Sequence, residues 1–232
     1  SAITKGLMPS REWKLNNREQ EWLVGDTVNA SIGQGYVLAS PLQLAVMAAR
    51  LASGKKVDPI LTKSINGQDI NSRNSIEDLD IDKSYLKIIR KALFQASNDR
   101  RGTAYGSRVI DDAYRMAGKT GTSQVRNITD AERESGVTKN EDLPWKRRDH
   151  GLFINFAPYN KPEIAVAVVV EHGGAGSKSA APIARDITLQ ALFKGNPPLE
   201  VYPAKDRTAA LERQNKLGEA LKELEMFRQN KV

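Results

Sequence analysis

Lys119-Thr120-Gly121-Thr122 gathers an ammonium, two hydroxyls and a position without a side chain into four consecutive residues. These are the residue types that hold an anion at a strand edge. Lys119 supplies a point charge, Thr120 and Thr122 supply hydroxyl donors, and Gly121 lets the backbone of another chain approach closely. Read as one strand of a binding cleft, the run suits a substrate that ends in a carboxylate. It also fits an ordinary turn with glycine at the bend, and four residues alone do not separate the two readings.

Other candidate chemistry is thin. His150 opens an apolar strand pattern and His172 precedes a glycine-rich loop; neither has acidic or histidine neighbours at ligand spacing, which favours a structural role over acid–base or metal work. Gly33-x-Gly35 lacks the third glycine of a dinucleotide fingerprint, and His172-Gly173-Gly174 carries no Gly-x-Ser-x-Gly elbow. No cofactor and no metal are expected. Zero cysteines in 232 residues exclude disulfides, thiolate catalysis and cysteine-ligated zinc. The net charge of +7 is spread among acids, as where Asp130, Glu132 and Glu134 adjoin Arg126 and Arg133. That is a solvated, mildly basic surface suited to an anionic polymer or lipid, and nucleic acid is not expected as a partner. The longest strongly apolar run, Ile164 to Val170, falls far short of the roughly 20 residues that a spanning helix needs.

The elements that must position the cleft strand are legible in outline. Residues 1 to 35 read as loop with short extended or helical pieces, in which Trp13 and Trp22 act as packing anchors. Ser40, Pro41 and Gln43 form a capping box with proline at the first helical position. The helix they start has almost no polar face, which predicts burial in the middle of the domain, and Gly54 stops it. Asn66-Gly67 signals a type I′ hairpin turn. Asp82 caps a helix to about Ser97, and Arg100-Arg101-Gly102-Thr103-Ala104 leads back toward the cleft strand. His150 to Ala157 and Ile164 to Val170 read as strands. The second has a larger face, Ile164, Val166, Val168 and Val170, and a smaller one, Ala165, Ala167 and Val169, on which a helix packs closely. Ser177 or Ser179 is expected to cap a helix through Ile183, Ile187 and Ala191 that Gly195 and Pro197-Pro198 end. Residues 123 to 149 are long for a hairpin connection and so mobile or functionally placed. Leu217, Leu221, Leu224 and Phe227 predict a terminal amphipathic helix.

Gly25 to Tyr36 (Gly-Asp-Thr-Val-Asn-Ala-Ser-Ile-Gly-Gln-Gly-Tyr), Ser40-Pro41-Leu42-Gln43-Leu44-Ala45, the Lys-Thr-Gly run, Arg148 to Phe153 with Ala157-Pro158, Pro162 to Val168, Glu171-His172-Gly173 and Ala181 to Arg185 stand in one order. In that order they resemble the transpeptidase domain of class B penicillin-binding proteins, above all the elongation type. The resemblance runs from about Gly6 to Phe193. It implies an α/β (α+β) fold of the penicillin-binding protein and β-lactamase kind, an antiparallel sheet flanked by helices, here truncated on its N-terminal side. Residues 1–196 would be the C-terminal part of that domain and 197–232 a charged, helical tail. The activity implied is serine-type D,D-transpeptidation of peptidoglycan. Lys119 would tune protons and potential near the serines, Thr120 and Thr122 would hold the terminal carboxylate, the Thr122 N–H would be one oxyanion donor, and Gly121 would keep the edge open. The implied partners are the D-Ala-D-Ala stem peptide, β-lactams and, in the parent protein, a membrane glycosyltransferase, at the periplasmic face of the inner membrane. The alternative is a non-catalytic peptidoglycan- or β-lactam-binding module.

The family's Ser-x-x-Lys and Ser-x-Asn motifs precede its Lys-Thr-Gly strand, and the strings found here are expected to be decoys. Ser53-Gly54-Lys55-Lys56 contains the helix-ending glycine. Ser84, Lys87 and Lys91 share the solvent face of their helix, opposite Leu86, Ile89, Leu93 and Ala96. Ser64-Ile65-Asn66 and Ser72-Arg73-Asn74 read as hairpin and loop. The fragment alone is therefore expected to be inactive, and a cut sheet would leave Ile164 to Val170 as an open edge through which copies self-associate.

Overall fold

In the computed structural model the described residues are 5–60, 62, 64–69, 76–126 and 128–229. Their centre is an antiparallel sheet of β3 (Ala117–Ser123), β4 (His150–Ala157) and β5 (Ile164–Val170) in that spatial order. A hairpin, β1 (Ser64–Ile65) and β2 (Gln68–Asp69), lies apart from it, turning through Asn66 and Gly67 at φ 50° and 79°. Both residues hold the positive φ that a type I′ turn requires.

The two faces of the sheet are covered by different helices. α6 (Gly176–Leu192) packs Ala180, Ala181, Ala184 and Leu189 with Phe153, against which Val166, Val168 and Val170 also lie. The small face goes to α3 (Pro41–Ser53), whose Ala52 joins Ala117, Phe156 and Ala165, together with Leu93 and Phe94 of α4 (Lys83–Asn98). Arg90 of α4 ties these layers: its guanidinium donates to the carbonyls of Ala52 and Tyr159 and covers the rings of Phe156 and Tyr159 at 5.4 and 5.6 Å.

Local signals place the helix ends. Ser40 accepts from Gln43 N–H while the Gln43 side chain returns the bond, and Gly54 closes α3 at φ 72°. Asp82 accepts from Ser84 N–H at 2.7 Å to start α4. The expected all-round burial of α3 does not hold, because only one face meets the sheet: Ala48 and Ala52 are buried, but Leu42 and Met47 are 40% and 42% exposed. The expected serine caps of α6 fail too. The helix begins at Gly176 after Ala175 without a side-chain cap, and Ser179 instead donates to the Ala175 carbonyl. The stretch before Ser40 contains two helices, α1 (Arg11–Arg18) and α2 (Val24–Ser31), joined by Lys14, which is buried and donates to Asp26 at 2.7 Å and to the Glu21 carbonyl. Trp13 lies against Tyr36, and the Trp22 indole donates to Thr27.

The β3–β4 connection is built rather than open. α5 (Asp130–Ser135) starts with a Thr129/Glu132 capping box, and Arg126 donates to Glu132 at 2.6 Å. That hydrogen bond, with the Thr129 N–H and the Thr138 hydroxyl, holds the Glu132 carboxyl down to about 2 from a usual 4.5. Beyond the sheet, Arg185 is buried between Asp186 and Asp206 and lies over Tyr202. α7 (Arg207–Gln229) docks through buried Ala210 and through Arg213, which pairs with Asp186 at 2.8 Å. The residues of the predicted terminal stripe, Leu217, Leu221, Leu224 and Phe227, all lie on α7 and are exposed.

Candidate functional site

β3 reaches its position from α4. Asn98 donates to the Met116 carbonyl at 2.9 Å, and Ser97 stands 3.5 Å from the carbonyl of Gly118. On one side β3 pairs with β4, Lys119 opposite Ile154, Thr120 opposite Phe153, Gly121 opposite Leu152 and Thr122 opposite Gly151. On its other side no strand lies among the described residues. The motif is thus an edge strand and not a turn.

Alternation along β3 divides the four residues. Ala117 lies in the α3/α4 layer, so Lys119 and Gly121 share that side, while Thr120 and Thr122 share the α6 side. Lys119 Nζ donates to the Thr120 carbonyl at 2.9 Å. Thr120 Oγ1 is 3.0 Å from Thr103 Oγ1. Thr103 is delivered by a turn in which Ala104 N–H donates to the Ala96 carbonyl. Gly102 permits that turn, because a Cβ there would collide with the carbonyls of Gln95 and Ala96. Thr103 escaped the sequence reading, although it sits in the Arg-Gly-Thr-Ala string noticed as leading toward the cleft.

The floor beneath the edge is backbone on backbone. A Cβ at Gly176 would run into the carbonyls of Leu152 and Gly121, and one at Gly151 into the Ser179 hydroxyl. The Gly176 contact is why the first residue of α6 is a glycine. Gly121 itself has room: a Cβ there would meet Leu152 Cβ at 3.4 Å, an ordinary contact. Its lack of a side chain serves the free edge rather than the pairing with β4.

His150 and His172, read separately in the sequence, are neighbours. Their rings lie 4.8 Å apart and Trp145 stands 4.5 Å from His172. His172 N–H donates to His150 Nδ1 at 2.9 Å, and His172 Nδ1 is 2.9 Å from the Arg148 carbonyl. His150 lies opposite Ser123, one residue beyond Thr122. No cluster of metal-ligating side chains occurs among the described residues.

The decoy strings lie as expected. Ser84 is exposed and bonded to Asp82, Ser53 donates to the Ala49 carbonyl at the end of α3, and Ser64 and Asn66 are in the hairpin. Ser72-Arg73-Asn74 falls outside the described residues. Two cavities, of about 410 Å³ beside α3 and about 570 Å³ between α6 and α7, are lined by other residues. No helix among the described residues is long and apolar enough to cross a membrane.

Residues 6–189 match the family described as the penicillin binding protein transpeptidase domain. The chain is 38% identical over 189 residues to the peptidoglycan D,D-transpeptidase MrdA of Acinetobacter baumannii, an alignment covering 78% of the chain and 27% of that protein. It thus spans under a third of the length of that relative. Among solved structures it resembles Pseudomonas aeruginosa PBP2 in complex with WCK 5153, at 36% identity and a TM-score of 0.67, covering 87% of the chain and 41% of the other. It also resembles PBP2 of Helicobacter pylori in complex with MreC, at 31% identity and a TM-score of 0.64, covering 82% and 31%.

Proposed function

Because the chain belongs to the penicillin-binding protein transpeptidase domain family, we propose that it is the C-terminal part of a peptidoglycan D,D-transpeptidase of the penicillin-binding protein 2 type, and that β3 is its substrate-binding edge. The observation that carries this reading is the free edge of β3, with Lys119 on one side of the strand and Thr120, oriented by Thr103, on the other.

An extended stem peptide laid along β3 would add a strand, its backbone pairing along the outer side of β3 around Gly121. Its terminal carboxylate would meet the Thr120 and Thr122 hydroxyls within the field of Lys119. The Thr122 N–H would donate to the oxyanion formed when a serine attacks the D-Ala-D-Ala carbonyl. One such donor is worth roughly 10²–10³ in rate. An amine of a neighbouring strand would then take the acyl group. A β-lactam carboxylate would occupy the same place, and the periplasmic face of the inner membrane, beside a glycosyltransferase of the elongation machinery, is the setting that suits this chemistry. Residues 1–196 form the transpeptidase portion and 197–232 the tail.

Fluorescent penicillin and intact-mass analysis test the reading. The 232-residue chain alone is expected to gain no adduct, and adding the upstream portion of the transpeptidase domain is expected to restore labelling. An adduct on the isolated chain would overturn the division of labour and make Ser84 the first residue to replace.

A further inference from the structure

We propose that His150 is a positioning residue for the substrate-binding edge: its neutral imidazole, accepting the His172 N–H, fixes the turn that seats α6 against Gly121. The proposal rests on the reading of β3 given above.

The partners dictate the protons. A backbone N–H can only donate, so His150 Nδ1 must present a lone pair and its ring proton sits on Nε2. A carbonyl can only accept, so His172 Nδ1 carries a proton toward Arg148. A third bond joins the same two segments, from Gly174 N–H to the Asp149 carbonyl at 2.8 Å. His172 is held at φ 55°, in the left-handed region that a side chain seldom occupies without such support.

Residues 148–150 are a junction. The Asp149 N–H donates to Asn140 Oδ1, and its carboxylate accepts from Asn140 Nδ2 and Val125 N–H, which secures the β3–β4 connection. The three bonds to His172 and Gly174 secure the β5–α6 turn. Two residues after that turn, Gly176 rests on the Gly121 and Leu152 carbonyls. Tension at His150 thus reaches the Lys-Thr-Gly strand along two short routes, its register partner Ser123 and the start of α6.

Three measurements on the parent protein test this. In the unmodified protein, imidazole ¹⁵N spectra must show His150 as the Nε2–H tautomer with a proton on His172 Nδ1; any other pairing overturns the proposal without a mutation. H150F keeps a ring beside His172 but no acceptor, whereas H150N puts an amide oxygen near the place of Nδ1. Amides 172–174 are expected to exchange about tenfold faster in H150F and within about threefold of wild type in H150N, the size of one unmade hydrogen bond. The half-saturating penicillin concentration is expected to follow the same order, about tenfold higher in H150F, with the limiting acylation rate nearly unchanged. Wild-type behaviour of H150F, or an H150N variant as impaired as H150F, would overturn the proposal. A K119A variant in the same protein that acylates normally would instead remove the reading of β3, and the exchange data would still separate the Phe from the Asn variant.

Discussion

The two outer strands of the sheet, β3 and β5, share one scaffold and the same neighbour, β4, but not one residue type along the stretches that matter. β3 offers lysine, glycine and hydroxyls at its rim, all compatible with water between visits by a ligand. β5 is Ile-Ala-Val-Ala-Val-Val-Val, half-buried at every position and without a strand partner on its outer side among the described residues. A polar edge can wait for a transient strand. An apolar edge with unpaired backbone groups is stable only when something stays on it. The contrast separates a polar edge, proposed above as the ligand's, from an apolar edge that favours permanent cover.

The largest effect should come from spoiling the first edge. In the parent protein, G121V should block strand addition and reduce penicillin acylation at least a hundredfold, and K119A should lower it by a comparable factor while thermal stability stays within about 0.5 kcal/mol, as for other exposed positions. Normal acylation by K119A would sink the assignment. The second edge should show itself as association: light scattering of the isolated chain should give at least twice the monomer mass at high concentration, falling when the upstream portion is supplied. A clean monomer throughout would mean that β5 is covered by other means. A smaller effect lies in the connection between β3 and β4. Glu132 has its pKa depressed from 4.5 to about 2, so its contribution is complete above about pH 4.5 and disappears as pH falls toward 2. Amide exchange across 128–138 should therefore accelerate as pH falls from about 4.5 toward 2 beyond the intrinsic change, and E132Q should be loose already at pH 5. The smallest effects belong to α4, where D82A should cost about 1 kcal/mol as a lost cap and S84A should leave acylation in the parent protein unchanged.

What the sequence disclosed was local. The Ser40/Gln43 box, Gly54, Asp82, the Asn-Gly turn and the strands β4 and β5 all follow from short-range rules, whereas Lys119 to Thr122 fitted a strand or a turn until the family resemblance picked them out in order. What it concealed was tertiary. The start of α6 is set by carbonyls from two strands that no cap rule can see. The exposure of Leu42 and Met47 depends on which face of α3 meets the sheet. Lys14 drew no notice until Asp26 and the Glu21 carbonyl closed around it, and the two histidines, 22 residues apart, become neighbours only because β4 and β5 are antiparallel. Thr103 was legible as part of a returning loop, but its aim at Thr120 required the turn at Gly102.

Gly151 and Gly176 have a meaning for heredity as well as for packing. A lineage can alter only positions where a new side chain has somewhere to go, and at Gly176 the ground beneath the Lys-Thr-Gly strand is main chain pressed on main chain. Nothing at those glycines can be enlarged without moving α6. Heritable change at this end of the sheet is therefore channelled toward exposed positions of the β3–β4 connection such as Val137.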